Sequence, residues 1–75
     1  MRIKCLSVKL ESLVDITDKA CLAKSFDGRE VIIPKSQIFG QDYEVLKSEA
    51  YWITEWILKK KNIQYSSKKV QWFKI

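Results

Sequence analysis

Alternation dominates the chain. From Arg2 to Thr17, Leu6, Val8, Leu10, Val14 and Ile16 fall on even positions, and Lys9, Glu11, Asp15 and Thr17 on odd ones. A period of two is that of a half-buried β-strand. Ser12 interrupts the apolar side, so Glu11-Ser12 is the expected bulge or bend. Such a bend lets one strand serve both sides of a small barrel. Thr17-Asp18 supplies the next turn.

Lys19 to Phe39 reads as a β-hairpin running into a proline-stopped turn. Asp27-Gly28 lies between two apolar-rich runs, and a two-residue turn there needs φ > 0 at both positions. That register sets Phe26 opposite Arg29, Lys24 opposite Val31, Leu22 opposite Ile33 and Ala20 opposite Lys35. Leu22, Val31 and Ile33 then share one face with Lys24, and Cys21, Ala23 and Ile32 the other. Both faces are partly apolar, which predicts a central hairpin. Pro34 ends the second strand because it has no N–H for the ladder. Lys35 to Ile38 predicts a single tight turn, of 3₁₀ type, with Ile38 folding back onto the core. Gly40 to Asp42 reads as loop, and a fourth strand is expected within Tyr43–Trp52.

The period changes at Ile53 to Lys61. Ile53, Trp56, Ile57 and Lys60 follow helical spacing. Thr54 suits the N-cap and Glu55 the first turn, while three lysines suit the last. Asn62 fits a left-handed residue after the helix, with Ile63 packing back. So short a helix must dock on the sheet, here through Trp56 and Ile57. Within Gln64 to Ile75, Val70, Trp72 and Phe73 predict a final strand, and Ser66 to Lys69 reads equally as loop. The expected fold is mainly β in a single domain over residues 1–75. It is a small five-stranded curved sheet or open β-barrel, OB-like or related, with one short α-helix before the last strand. The match to an OB-fold is imperfect, because the helix there falls between the third and fourth strands.

Charge adds a direction to this picture. Residues 59–75 carry six lysines and no acid, whereas residues 1–58 carry eight basic and nine acidic residues. The whole excess of +5 therefore lies at one end of the chain. Such asymmetry suits an acidic partner or a solvated, solubilising edge. Trp52, Trp56, Tyr65, Trp72 and Phe73 interleave with these lysines. Single-strand binders join a basic groove to aromatic platforms, since every base offers a π-face and every linkage a charge. Some of these rings must also fill the core of so short a chain, Trp56 and at least one of Trp72 and Phe73 among them.

Chemistry is otherwise sparse. The chain has no His, no Gly-rich phosphate loop and no Gly-x-Ser-x-Gly, and its nine carboxylates are scattered. No enzyme activity, metal or cofactor is expected. Cys5 and Cys21 are too few for a zinc site and read as reduced, buried core residues of a cytoplasmic protein. No apolar run is long enough to span a membrane. Pro34-Lys35-Ser36-Gln37 is polar and follows a strand directly. Its side chains either meet phosphates or a protein backbone, or satisfy the turn itself.

The stretch Ala20 to Ile38 resembles a set of small, largely uncharacterised proteins of bacteriophages and mobile elements. The shared pattern is a Lys-Ala start at Lys19-Ala20, the Asp27-Gly28 turn and the run Glu30-Val31-Ile32-Ile33-Pro34-Lys35-Ser36-Gln37. Trp56 to Lys61 matches a later W-x-x-x-K-K element. That group often carries an aromatic where this chain has Ile32. The resemblance covers about half the chain and implies a phage-like or plasmid-like context, with no chemistry to carry over.

Three functional readings follow. In the first, a small accessory protein binds nucleic acid, single-stranded and without sequence specificity. Lys35, Lys59, Lys60, Lys61, Lys68 and Lys69 meet phosphates, and Tyr65 or Trp72 stacks on bases. In the second, the chain modulates or inhibits a host defence or replication enzyme by docking its basic end on an acidic or nucleic-acid-binding surface. In the third, two copies pair through edge strands.

Overall fold

A computed structural model describes residues 1–46, 48–63, 65 and 68–74. The first strand, β1 (Arg2–Leu10), leads across Glu11 into β2 (Ser12–Asp15). The bend expected at Glu11-Ser12 is present, and it passes the chain from one sheet to another. β2 pairs with β3 (Ala20–Lys24), and β3 with β4 (Glu30–Pro34), giving a three-stranded antiparallel sheet with β3 in the middle. A 3₁₀ turn over Lys35–Gln37 leads into β5 (Ile38–Gln41). β6 (Glu49–Thr54), α1 (Glu55–Lys60) and β7 (Val70–Lys74) complete the order. β5, β6, β1 and β7 form a second, curled antiparallel sheet in that order.

Among the described residues, seven strands in two sheets replace the expected five in one. The long first strand counts twice because it bends. Ile38–Gln41, read as plug and loop, pairs with β6 as a strand with a register shift between Ile38 and Gly40. Gly40 takes φ +137°, so the shift sits where a glycine permits it. The strand sought in Tyr43–Trp52 begins only at Glu49, and Tyr43 and Leu46 are exposed. The loop reading of Ser66 and Ser67 lies outside the described residues, whereas the final strand is present.

The hairpin register is one residue away from the expected one. Lys24 faces Glu30, Leu22 faces Ile32 and Cys21 faces Ile33. The connection has three residues, Phe26 to Gly28. The Gly28 N–H donates to the Ser25 carbonyl at 3.0 Å, and the Ser25 N–H to the Arg29 carbonyl at 2.9 Å. Only Gly28 needs positive φ, at +90°, as in a type I turn closed by a glycine bulge. The Asp27 carboxylate fixes this loop by accepting from the Ser25 hydroxyl and the Arg29 N–H. A one-residue shift exchanges the faces. Cys21, Ala23, Val31 and Ile33 therefore point inward together, while Ile32 is exposed.

Leu6, Val8 and Leu10 line one side of β1 and form the core with Ala23, Ile33, Ile53, Ile57, Leu58 and Ile63. The helix docks through Ile57 and Leu58, not Trp56, which is 49% exposed. Its end follows the expected pattern. Asn62 has φ +55°, its N–H donates to the Lys59 carbonyl, and the Ile63 N–H reaches back to Leu58 at 2.9 Å. These two bonds make a Schellman motif, and Ile63 and Leu58 are its apolar pair. Both cysteines are buried free thiols. Among the described residues no helix is long and apolar enough to cross a membrane.

Candidate nucleic-acid interface

Among the described residues, no sheet packs over the second face of the four-stranded sheet, the one turned away from the core cluster. Odd residues of β1 point there, and cross-strand partners share a face in an antiparallel pair. Cys5 stands opposite Thr54 and Gln71, Ser7 opposite Trp52, Lys9 opposite Ala50, and Ile3 opposite Phe73. The rings of Phe39 on β5 and Phe73 on β7 are 5.2 Å apart, and Trp52 is 6.1 Å from Phe73. β5 and β7 are the two edges of the sheet, so this contact requires the sheet to curl and bring its edges together on this side. The three rings remain partly exposed, while Cys5, Ala50 and Thr54 on the same face are fully buried. Burial pushes the Cys5 thiol up to about 11, so it stays protonated and inert near neutrality.

At one end of this face a cleft of about 260 Å³ is lined by Ser7, Lys9, Val45, Lys68 and Lys69. Its floor is organised by Asp42, only 3% exposed. The Asp42 carboxylate accepts from the Ser7 hydroxyl at 2.5 Å, the Lys69 ammonium at 2.6 Å and the Glu44 N–H at 3.2 Å. Burial pushes this carboxyl up, but those three donors outweigh it and hold it below the usual aspartate value. Lys69, held by Asp42 and by Glu44 at 3.5 Å, hangs over the Trp52 ring at 5.8 Å. Lys9 is exposed and has no carboxylate partner among the described residues.

The residues singled out in the sequence are dispersed. Only Lys68 and Lys69 join this cleft. Lys35 pairs with Asp15 at 3.1 Å, and Asp15 also accepts from the Cys21 thiol. Lys59 pairs with Glu55 at 3.8 Å, Lys60 sits over the Trp56 ring at 5.5 Å, and Lys61 caps the helix. Tyr65 packs against the core. Trp72 is 56% exposed and shares its face with Lys4, opposite to that of Phe73. Trp56 and Trp72 are therefore surface rings rather than core ones. Phe39 and Lys9 gave no signal in the sequence because neither lies in the basic end of the chain.

The Pro-Lys-Ser-Gln turn has a structural role beyond the two its sequence suggested. The Gln37 side-chain carbonyl accepts from the Thr54 hydroxyl at 2.8 Å and the Trp56 indole N–H at 2.6 Å. It thereby ties the turn to the start of α1 and uses the Thr54 hydroxyl that would otherwise cap the helix. The two separated motifs of the resemblance meet at this bond. Among the described residues no group of three or more metal-ligating side chains converges.

No family model, curated protein or solved structure matches the chain significantly.

Proposed function

We propose that this chain is a non-enzymatic accessory protein of phage or mobile-element type that binds single-stranded nucleic acid without sequence specificity. The observation that carries this reading is the partly exposed Phe39–Phe73–Trp52 cluster on the sheet face turned away from the main core, ending in a lysine-lined cleft. Unpaired bases stack on such rings, each contributing about 1–3 kcal/mol. Lys9, Lys68 and Lys69 meet the phosphates. Duplex DNA keeps its bases inside the helix and offers this face only its backbone.

Titration of a short oligothymidylate in low salt, followed by tryptophan fluorescence, tests the reading. Weak saturable binding with quenching is expected. Lys9→Gln with Lys68→Gln should flatten the log–log salt dependence by about 1.4, at roughly 0.7 per lost contact. Substituting Lys59, Lys60 and Lys61 together should change it much less. Absence of binding in low salt would sink the proposal, and equal binding of a duplex would remove its single-strand preference.

A further inference from the structure

We propose that the outer edge of β7 captures an extended acidic segment of a partner protein as an added strand. This rests on hydrogen-bond parity, not on the nucleic-acid reading. The Ser7 N–H donates to the Lys69 carbonyl, so residues 7 and 69, directly opposite in the β1–β7 register, form a hydrogen-bonded pair. Such pairs alternate along an antiparallel ladder. Gln71 and Phe73 therefore bond to Cys5 and Ile3, while Val70, Trp72 and Lys74 direct their N–H and C=O groups outward. Four of the five residues of β7 are exposed, and among the described residues no strand pairs with its outer edge.

The other three edges carry protection against strand addition. β4 begins at Glu30 and ends at Pro34, β5 is broken by its register shift at Gly40, and β2 is four residues long and ends at Asp15. Prolines, charges, bulges and shortness are the usual means of blocking an edge. β7 has no bulge, proline or acid, and it exposes Val70 (41%) and Trp72 on one face.

Charge selects the occupant. Arg2 and Lys74 stand directly opposite on that face, and no carboxylate pairs with either among the described residues. Like charges so placed repel. Lys4, next on the same face, is held by Glu55 at 3.3 Å. A second copy would bring the same cations to the edge. An extended peptide with a carboxylate beside Arg2 and Lys74, and an apolar side chain beside Trp72, relieves the repulsion and covers the ring. Its backbone supplies the affinity, and alternate side chains the selectivity.

The test is an amide-resolved NMR titration with an acetylated peptide of repeating Glu-Thr-Val-Thr, which sets glutamate and valine two residues apart on one face of the strand. In the free protein the Val70, Trp72 and Lys74 amides should exchange fast, and the Gln71 and Phe73 amides slowly. With peptide, exchange at the first three should slow by about tenfold or more while the other two hold. Replacing glutamate by lysine, or N-methylating alternate peptide residues, should abolish the effect. Trp72→Pro should leave the β1 ladder and the melting temperature intact, because its lost N–H points outward, and should abolish binding. Slow exchange at all five amides without peptide, rising with protein concentration, would assign the edge to a second copy and overturn the proposal. Absence of shifts, indifference to peptide charge, or displacement of the peptide by oligothymidylate would overturn it too. Because Phe73 and Trp72 face opposite ways, Trp72→Pro leaves the oligonucleotide surface in place, so the two readings fail separately.

Discussion

Gln37 shows how one polar side chain can fix a junction. Its carbonyl oxygen satisfies a buried hydroxyl on Thr54 and the indole of Trp56 together. Gln37→Leu keeps a similar volume and leaves the Thr54 hydroxyl without its acceptor, so it should destabilise the fold by about 1–3 kcal/mol. A urea titration reads this as a lower midpoint at unchanged slope; an unchanged midpoint would show the latch to be dispensable. Cys5 makes a second prediction. Its folded pKa, about 11, lies above the ordinary thiol value of 9.0. Below pH 9 both folded and unfolded chains keep the proton, and the thiol adds no pH dependence. Between 9 and 11 the unfolded chain loses its proton first, so stability should fall with rising pH. Cys5→Ala should remove that part of the slope relative to the parent chain.

Among the elements, the hairpin makes the sharpest demand on sequence. A β-carbon added at Gly28 would meet only open space, so the φ of +90° alone resists substitution. Gly28→Val should cost about 1–2 kcal/mol through backbone strain alone. For a domain of this size that is a fall in melting temperature of roughly 4–8 °C per kcal/mol. An unchanged melt would mean that the loop has another conformation. The presence of this hairpin was legible from Asp27-Gly28 and Pro34, but its register was not. A two-residue and a three-residue connection use the same dipeptide. The choice between them rests on whether Cys21 and Ala23 turn inward with Val31 and Ile33, which is decided by the sheet they face. The helix repeats the lesson. Its capping residues were readable in order, yet its buried side is Ile57 and Leu58, because the Gln37 bond holds Trp56 at the surface.

For the whole molecule, the separation of chain charge from surface charge matters most. The lysine-rich end is split by the fold: Lys59 is tied to Glu55, Lys60 to Trp56, and Lys69 to Asp42 and Glu44. Glu44 is exposed beside the lysine cleft, so Glu44→Gln should leave stability unchanged and strengthen oligonucleotide binding a few-fold at low salt. The gain should fade as salt screens the site; weaker binding would place the nucleic acid elsewhere. The sequence by itself determined the elements whose signals are local. These are the bent first strand, the glycine turn, the proline stop, the 3₁₀ turn, the left-handed Asn62 and the final strand, each set by backbone sterics or a period of two. Tertiary structure alone decided how many sheets those strands make and which rings are covered. It also brought Phe39, Trp52 and Phe73 onto one face and turned Trp72 to the other. Those outcomes depend on which distant strands pair and how the sheet curls, and a strand's own sequence carries no record of its neighbours.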